Sequence, residues 1–360
     1  MNKELKEENL KTLAEYKKVL WERPRLTYLF LELTDQCNLH CKHCGSGCSN
    51  QNHTFLPTPV IEKVLKSVSG KYDPRNTMVC ITGGEPMLHP DLFRIIQLAH
   101  SGGFPVGITT NGTLIDSKSA VKLKQSGLDT IAVSLDGIGD THDSFRDVSG
   151  CFNKAVEGIK HLSECGIDAQ VMTVIHKDNL FQLEEMYEYF YAMGIYSWRI
   201  TNIDPIGRAA SNESSLLSYD DLMSLYEFIR RKRHNPENKM EVTYGCSHFL
   251  GFDFENDIRD YYFQCGAGTL VASITADGKI GACLDIERRP ELIQGDAYKD
   301  DFVDVWENRF SVFRRSRNET TVICNDCQYK GICFGDSMHT WDFDRSEPAY
   351  CIEKLRREQK

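Results

Sequence analysis

From residue 26 onward the chain alternates short apolar runs with longer stretches of helical spacing. LTYLFLEL (26–33), TMVCIT (77–82), FPVGITT (104–110), DTIAVSL (129–135), DAQVMTVI (168–175) and YSWRITNI (196–203) read as strands. Helical patterns lie between them. TPVIEKVLKSVSG (58–70) starts with Thr58 in the capping position and Pro59 in the first turn. DLFRIIQLAHSGG, the segment from Asp116 to about Ser126, residues 153–165 and NLFQLEEMYEYFYAMG continue the alternation. Six such repeats predict an α/β fold with parallel strands and helical crossovers. Six units are too few for an eight-fold barrel, so the expectation is a partial (β/α)6 barrel.

Residues 1–25 read as a polar helical extension ahead of this barrel. A helix at about 218–234 leads away from it, and HNPEN supplies loop chemistry near 235. The barrel is therefore placed at 26–235. From 236 to 360 the helical period fades and cysteines recur at 246, 265, 283, 324, 327, 333 and 351. LVASITADGKIGACL predicts a β-hairpin turning at Asp277-Gly278. DDFVDVWENRFSVFRRS predicts an amphipathic helix.

The chain of 360 residues is 41% hydrophobic, enough for a sizeable core. Its net charge of −10, from 42 basic and 52 acidic residues, lacks the basic footprint of a nucleic-acid binder. The start, MNKELKEENLKTLAEYKK, is charged throughout and has no apolar signal core. No stretch approaches the roughly 20 apolar residues of a membrane span. A cytoplasmic protein with reduced thiols is expected. In that compartment, 14 cysteines point to metal or catalysis rather than to a disulfide framework.

Four of them crowd CNLHCKHCGSGC (37–48). Cys37, Cys41 and Cys44 follow directly on the first strand, where parallel α/β folds place functional loops. Zinc would want four ligands, and Cys48 could be the fourth. TGGEPMLHP (82–90) follows the second strand. Its glycines allow close backbone approach, and Glu85 could pair with an ammonium group.

CNLHCKHC, GGEP, TTNGTL (109–114), SLDG (134–137) and PIGRA (205–209) together resemble the radical S-adenosylmethionine (SAM) enzymes. The resemblance implies a [4Fe–4S] cluster on Cys37, Cys41 and Cys44, with the fourth iron left open for SAM. Reductive cleavage of SAM would then give a 5′-deoxyadenosyl radical that abstracts hydrogen from substrate. It implies that Gly83, Gly84 and Glu85 face the SAM amino group. Ser134 and Arg146 become candidates for its ribose or carboxylate. Ser134 could instead cap a turn, and Arg146 could pair with Asp143 or Asp147. Asn111 is expected to hold a turn.

The second cysteine set resembles the SPASM extension, which carries auxiliary clusters. The resemblance assigns Cys324, Cys327, Cys333 and Cys351 to one complete site, although those four would also satisfy tetrahedral zinc. The other site keeps Cys265 and Cys283. Where the pattern asks for a further cysteine, this chain has Ser337. Cys246 is the expected third ligand, and Ser337, Asp336 or water could complete the set. One or two auxiliary [4Fe–4S] clusters are therefore implied, with two favoured. Cys48 is expected to pack in its loop, a role in the incomplete site staying open. Cys80, Cys151 and Cys165 are expected to be buried apolar fillers. No acid or base is singled out; His176, Asp204 and Tyr261 read as ordinary strand-end or surface residues.

SPASM relatives imply modification of a peptide or small protein, and HCGSGC with GCSHFLG and CGAG resembles members tied to small exported partners. A flavodoxin- or ferredoxin-like electron donor is implied. The first 25 residues are too short for a leader-peptide-binding domain, which could be a separate chain. The alternatives are a small-molecule role, such as tetrapyrrole side-chain processing, and an iron–sulfur electron carrier or scaffold.

Overall fold

The computed structural model describes residues 3–245, 248–319 and 321–358. Helix α1 (Lys3–Glu22) leads into β1 (Tyr28–Glu32), α2 (Thr58–Lys71), β2 (Met78–Thr82), α3 (Leu92–Ser101) and β3 (Val106–Thr110). Then come α4 (Ser117–Gln125), β4 (Thr130–Ser134), α5 (Asp140–Arg146), α6 (Cys151–Glu164) and β5 (Ala169–Ile175). The series continues through α7 (Leu183–Ala192), β6 (Ser197–Asn202), α8 (Tyr219–Arg233) and β7 (Glu241–Tyr244). Strands β1 to β7 stand side by side in chain order, every neighbouring pair parallel. This is the expected partial barrel with a seventh parallel strand added. The four residues of β7, EVTY, are too few to display a period.

Alternation explains the wall. Along β5 every second residue is buried, and Val171 and Ile175 are fully covered. Those positions face the helical ring, where Ile61, Ile95, Leu123, Ile159 and Phe190 join them in one core. The intervening positions face the lumen. Cys80 is one of these and stays half-buried, so it is not the buried filler expected of it.

Two local expectations change. Thr58 is the first helical residue rather than the cap of α2, and its hydroxyl donates to Asp91 at 2.7 Å. Asp116, read as the first residue of the next helix, is instead the cap of α4, accepting from Ser119 N at 2.7 Å. Helix α5 was not anticipated because DTHDSFR is short and polar.

The C-terminal part contains α9 (Gly251–Phe254), β8 (Val271–Ile274), β9 (Lys279–Gly281), β10 (Gly295–Asp296) and α10 (Phe302–Asn308). It ends with α11 (Lys330–Cys333), the β11 (Trp341–Asp342) and β12 (Glu347–Pro348) pair, and α12 (Ile352–Glu358). The predicted hairpin forms β8 and β9, with Gly278 at φ +82° in its turn. Strand β8 also pairs in parallel with β1, Tyr28 opposite Val271. The hairpin thereby extends the barrel sheet and brings the segment after β9 beside the loop after β1. Helix α1 packs on α9 and α11, burying Lys6, Leu10, Ala14, Lys17 and Leu20. No described helix is long and apolar enough to cross a membrane.

Candidate active site

The loop after β1 brings Cys37, Cys41 and Cys44 into one small apolar cluster with Leu39, Cys48 and Cys151. Cys37 and Cys41 are each 7% exposed, and Cys44 is half-buried. Leu39 N donates to Cys37 Sγ at 3.4 Å, the kind of contact that stabilises a metal-bound thiolate. Burial pushes the Cys37 thiol up to about 12, and Glu85, Cys41 and Cys44 add to this. The three thiols share one neighbourhood; burial disfavours the bare thiolate at Cys37 and Cys41, and a bound cation would compensate. The donor set suits an Fe–S cluster.

Cys48 belongs to this same loop. It is 1% exposed and hydrogen-bonds Cys44, which lowers the Cys44 thiol and raises its own. It therefore stands with the first cysteine set. Cys151 is buried too, but it is more than a filler: its Sγ donates to Asp143 at 3.3 Å. Cys165 is half-buried at the end of α6.

The GGEP turn braces the loop from the neighbouring strand. Gly84 N donates to Thr34 O at 2.6 Å, and Glu85 N to Gln36 O at 2.9 Å. A Cβ on Gly83 would lie 2.6 Å from Thr34 O, and one on Gly84 would overlap Gln36 O. The glycines are required because two backbones touch here. The Glu85 carboxylate is fully buried and accepts from Thr110 Oγ1 (2.7 Å), Asn111 N (2.8 Å) and Met87 N (3.0 Å). It joins the β2 and β3 ends. Asn111 holds the expected turn, accepting from Thr113 N at 2.9 Å, and also donates to Asn38 in the cysteine loop.

Arg146 is buried and engages neither Asp143 nor Asp147. Its partner is Asp136 of SLDG, reached by Nε at 2.6 Å. Its Nη1 lies 3.5 Å from Cys41 Sγ. Ser134 ends β4 half-buried, and its hydroxyl makes no hydrogen bond among the described residues.

Arg208 of PIGRA was not assigned a role from sequence. It clamps the cysteine loop through three contacts: Nε to Cys41 O (2.7 Å), Nη1 to Cys48 O (3.0 Å) and its backbone N to Cys44 O (3.1 Å). His176 is 2% exposed, not on the surface, and stacks on Phe145 with centroids 3.8 Å apart. On its other face Phe145 stacks on His43, adjacent to Cys44, at 4.4 Å. Tyr261 is 47% exposed.

Asp204 lies two residues past β6. It accepts from His248 at 2.8 Å and from His339 at 3.0 Å, a strand-end residue as read from the sequence but one that joins two imidazoles. Asp285, two residues after Cys283, sits near this group. A Cβ on Gly45 would lie 3.5 Å from its Oδ1. It is exposed and makes no hydrogen bond or ion pair among the described residues, and the surrounding protein pushes its carboxyl up.

In the C-terminal part, electrostatic contacts link Cys324 to Cys327, and Cys351 to Cys327 and Cys333. Cys265 stands near Lys17 and Arg317. Burial raises its thiol, but Arg317 and Lys17 together bring it below the ordinary value. Met338 N donates to Cys265 Sγ at 3.5 Å, which sets position 337 beside this thiol. Ser337 is 1% exposed, and Asp336 turns its carboxylate to Phe249 N and Ser337 N. Cys283 follows β9, and Cys246 lies outside the described residues.

Residues 31–190 match the radical SAM superfamily, and residues 265–328 match the SPASM iron–sulfur cluster-binding domain. The chain carries a radical SAM domain over residues 31–190 and a SPASM domain over residues 265–328. It is 28% identical over 352 residues to an AdoMet-dependent heme synthase of Methanosarcina barkeri, covering 91% of this chain and 96% of that protein. It is 28% identical over 316 residues to the mycofactocin maturase MftC of Mycobacterium tuberculosis, covering 85% and 77%. Its fold is similar to that of SuiB from Streptococcus suis bound to S-adenosylmethionine. The TM-score is 0.73 at 19% identity, over 92% of this chain and 77% of that one.

Proposed function

We propose that this radical SAM enzyme holds its SAM-binding [4Fe–4S] cluster on Cys37, Cys41 and Cys44 and oxidises a peptide or small protein. The observation that carries the cluster assignment is the grouping of these three thiols in one loop, Cys37 and Cys41 buried and Cys44 half-buried. When bound, the cluster and SAM supply a hydrogen-abstracting radical. The protein's own residues brace and dry the site. GGEP and Arg208 fix the loop backbone, and Arg146 directs positive charge at Cys41. Ser134 offers an uncommitted hydroxyl at a strand end, suited to the SAM ribose.

On this reading, Cys324, Cys327, Cys333 and Cys351 hold one auxiliary cluster. Cys265 and Cys283, with Cys246, hold another. The donor types fit such clusters, and the proximity of Cys351 to Cys327 and Cys333 supports the first.

The similarity to the maturase MftC supports the peptide reading. Asp285, beside the cysteine loop, offers an acceptor to an amide donor. The second reading is a tetrapyrrole substrate, favoured by the near full-length similarity to a heme synthase.

The test begins with iron and sulfide counts on wild type and the Cys37/Cys41/Cys44→Ala variant. The variant should lose about four irons and all 5′-deoxyadenosine release. Loss of one zinc instead would refute the assignment. The loaded enzyme is then offered a short peptide encoded beside its gene and, separately, an iron-bound propionate-bearing tetrapyrrole. A mass change on the tetrapyrrole alone would overturn the peptide reading.

A further inference from the structure

Helix α1 buries five positions against the cysteine-rich part, and two of them are lysines. Lys6 is conventional: it pairs with Asp257 at 3.0 Å. Lys17 is 7% exposed and makes no hydrogen bond or ion pair among the described residues. Its ammonium lies 5.6 Å from the centre of the Phe334 ring. Arg317 stands nearby. It gives Nη2 to the carbonyls of Gly335 and Asp336, while its Nε is buried without a partner. The thiols of Cys265 and Cys333 and the carboxylate of Asp336 are the negative groups within reach of Lys17. That carboxylate is engaged by two backbone N–H groups. One buried ammonium and one half-buried guanidinium thus face one committed carboxylate and two thiols. Buried charge is costly unless it meets opposite charge, so this arrangement calls for an anion at Cys265.

We propose that Lys17, supported by Arg317, is the counter-charge of an auxiliary cluster held at Cys265 and raises that cluster's reduction potential. The proposal rests on the reading that Cys265 and Cys283 ligate such a cluster. A thiolate-bound iron–sulfur cluster is anionic and becomes more so on reduction, so a fixed cation beside it stabilises the reduced form. The N-terminal helix is then part of the redox site and not a detached extension. Lys17 is a positioning residue: it acts on the potential through charge.

The test uses the full, anaerobically reconstituted chain, titrated with dithionite and followed by electron paramagnetic resonance. Cys265→Ala first identifies the signal; it should lose about four irons. If it loses none, the ligand reading fails, and the proposal fails with it for that separate reason. Lys17→Met keeps length and removes charge. It should shift this cluster's midpoint negative by about 59 mV, a tenfold change in the oxidised-to-reduced ratio for one electron. Lys17→Arg should restore the potential, and Lys6→Met should leave it unmoved. Loss of this cluster in Lys17→Met but not in Lys17→Arg also supports the counter-charge. An unchanged midpoint in Lys17→Met overturns the proposal. So does an equal shift in Lys6→Met, or loss of the cluster in both Lys17 variants.

Discussion

Asp204 binds His339 through one carboxylate oxygen and His248 through the other, at 3.0 and 2.8 Å. One strand-end residue of the barrel thus holds two imidazoles from the C-terminal part. Burial opposes charge on His339, but the hydrogen bond and charge of Asp204 outweigh it and raise the imidazole to about 9. A raised folded-state value gives stability that is complete below the ordinary 6.5 and is lost as pH rises through about 9. The full loss is roughly 3 kcal/mol. Urea midpoints of wild type should fall across that window, and those of Asp204→Asn should start low and stay flat.

Arg208 gives the cysteine loop three fixed points, so its removal should be felt at the cluster. Arg208→Met should weaken iron retention about 10- to 100-fold, the usual cost of losing an outer partner of a metal ligand. A chelator challenge followed by iron counting reads this directly.

Two glycines separate local space from local flexibility. Gly84→Ala forces a methyl group into Gln36 O, so the protein should melt lower and load less iron. Gly70→Ala, near the end of α2, meets nothing within 4 Å. It should stabilise by about 0.5–1 kcal/mol. Thermal melts of both variants check the pair.

The Glu85 carboxylate accepts three hydrogen bonds in full burial. Glu85→Gln turns an amide donor toward donors and should cost about 1–3 kcal/mol. Glu85→Asp, too short to span the β2 and β3 ends, should do no better. Denaturant melts of both decide this.

Cys48→Ala should keep the full iron content of wild type, because Cys48 touches Cys44 without being needed to complete a three-thiolate site. A loss of iron equal to that of Cys44→Ala would make Cys48 a ligand.

The barrel strands were legible because their apolar runs are short, regular and separated by helical patterns. Cys37, Cys41 and Cys44 were legible because their spacing is local. What escaped was assembled across distance. Asp136 sat inside SLDG, but its partner Arg146 lies ten positions on, across the unanticipated α5. Arg208 sat inside PIGRA with nothing to show that it returns to Cys41 and Cys48. Asp204 carried a signal, its place at a strand end, yet neither His248 nor His339 advertises it. Lys17 looked like one more charge on a polar helix, since burial of α1 depends on α9 and α11.

The pairing of β8 with β1 has a consequence for how the molecule is made. Thr27 bonds to Leu270 across 243 positions of chain. During synthesis the first strand stands as an open edge until the hairpin has left the ribosome, and open edges invite association. A chain cut at residue 235 would keep that edge for good and is expected to aggregate rather than behave as a free barrel. The cysteine loop hangs from the same strand. The strand that carries Cys37, Cys41 and Cys44 thus gains its second neighbour only once the hairpin has been made.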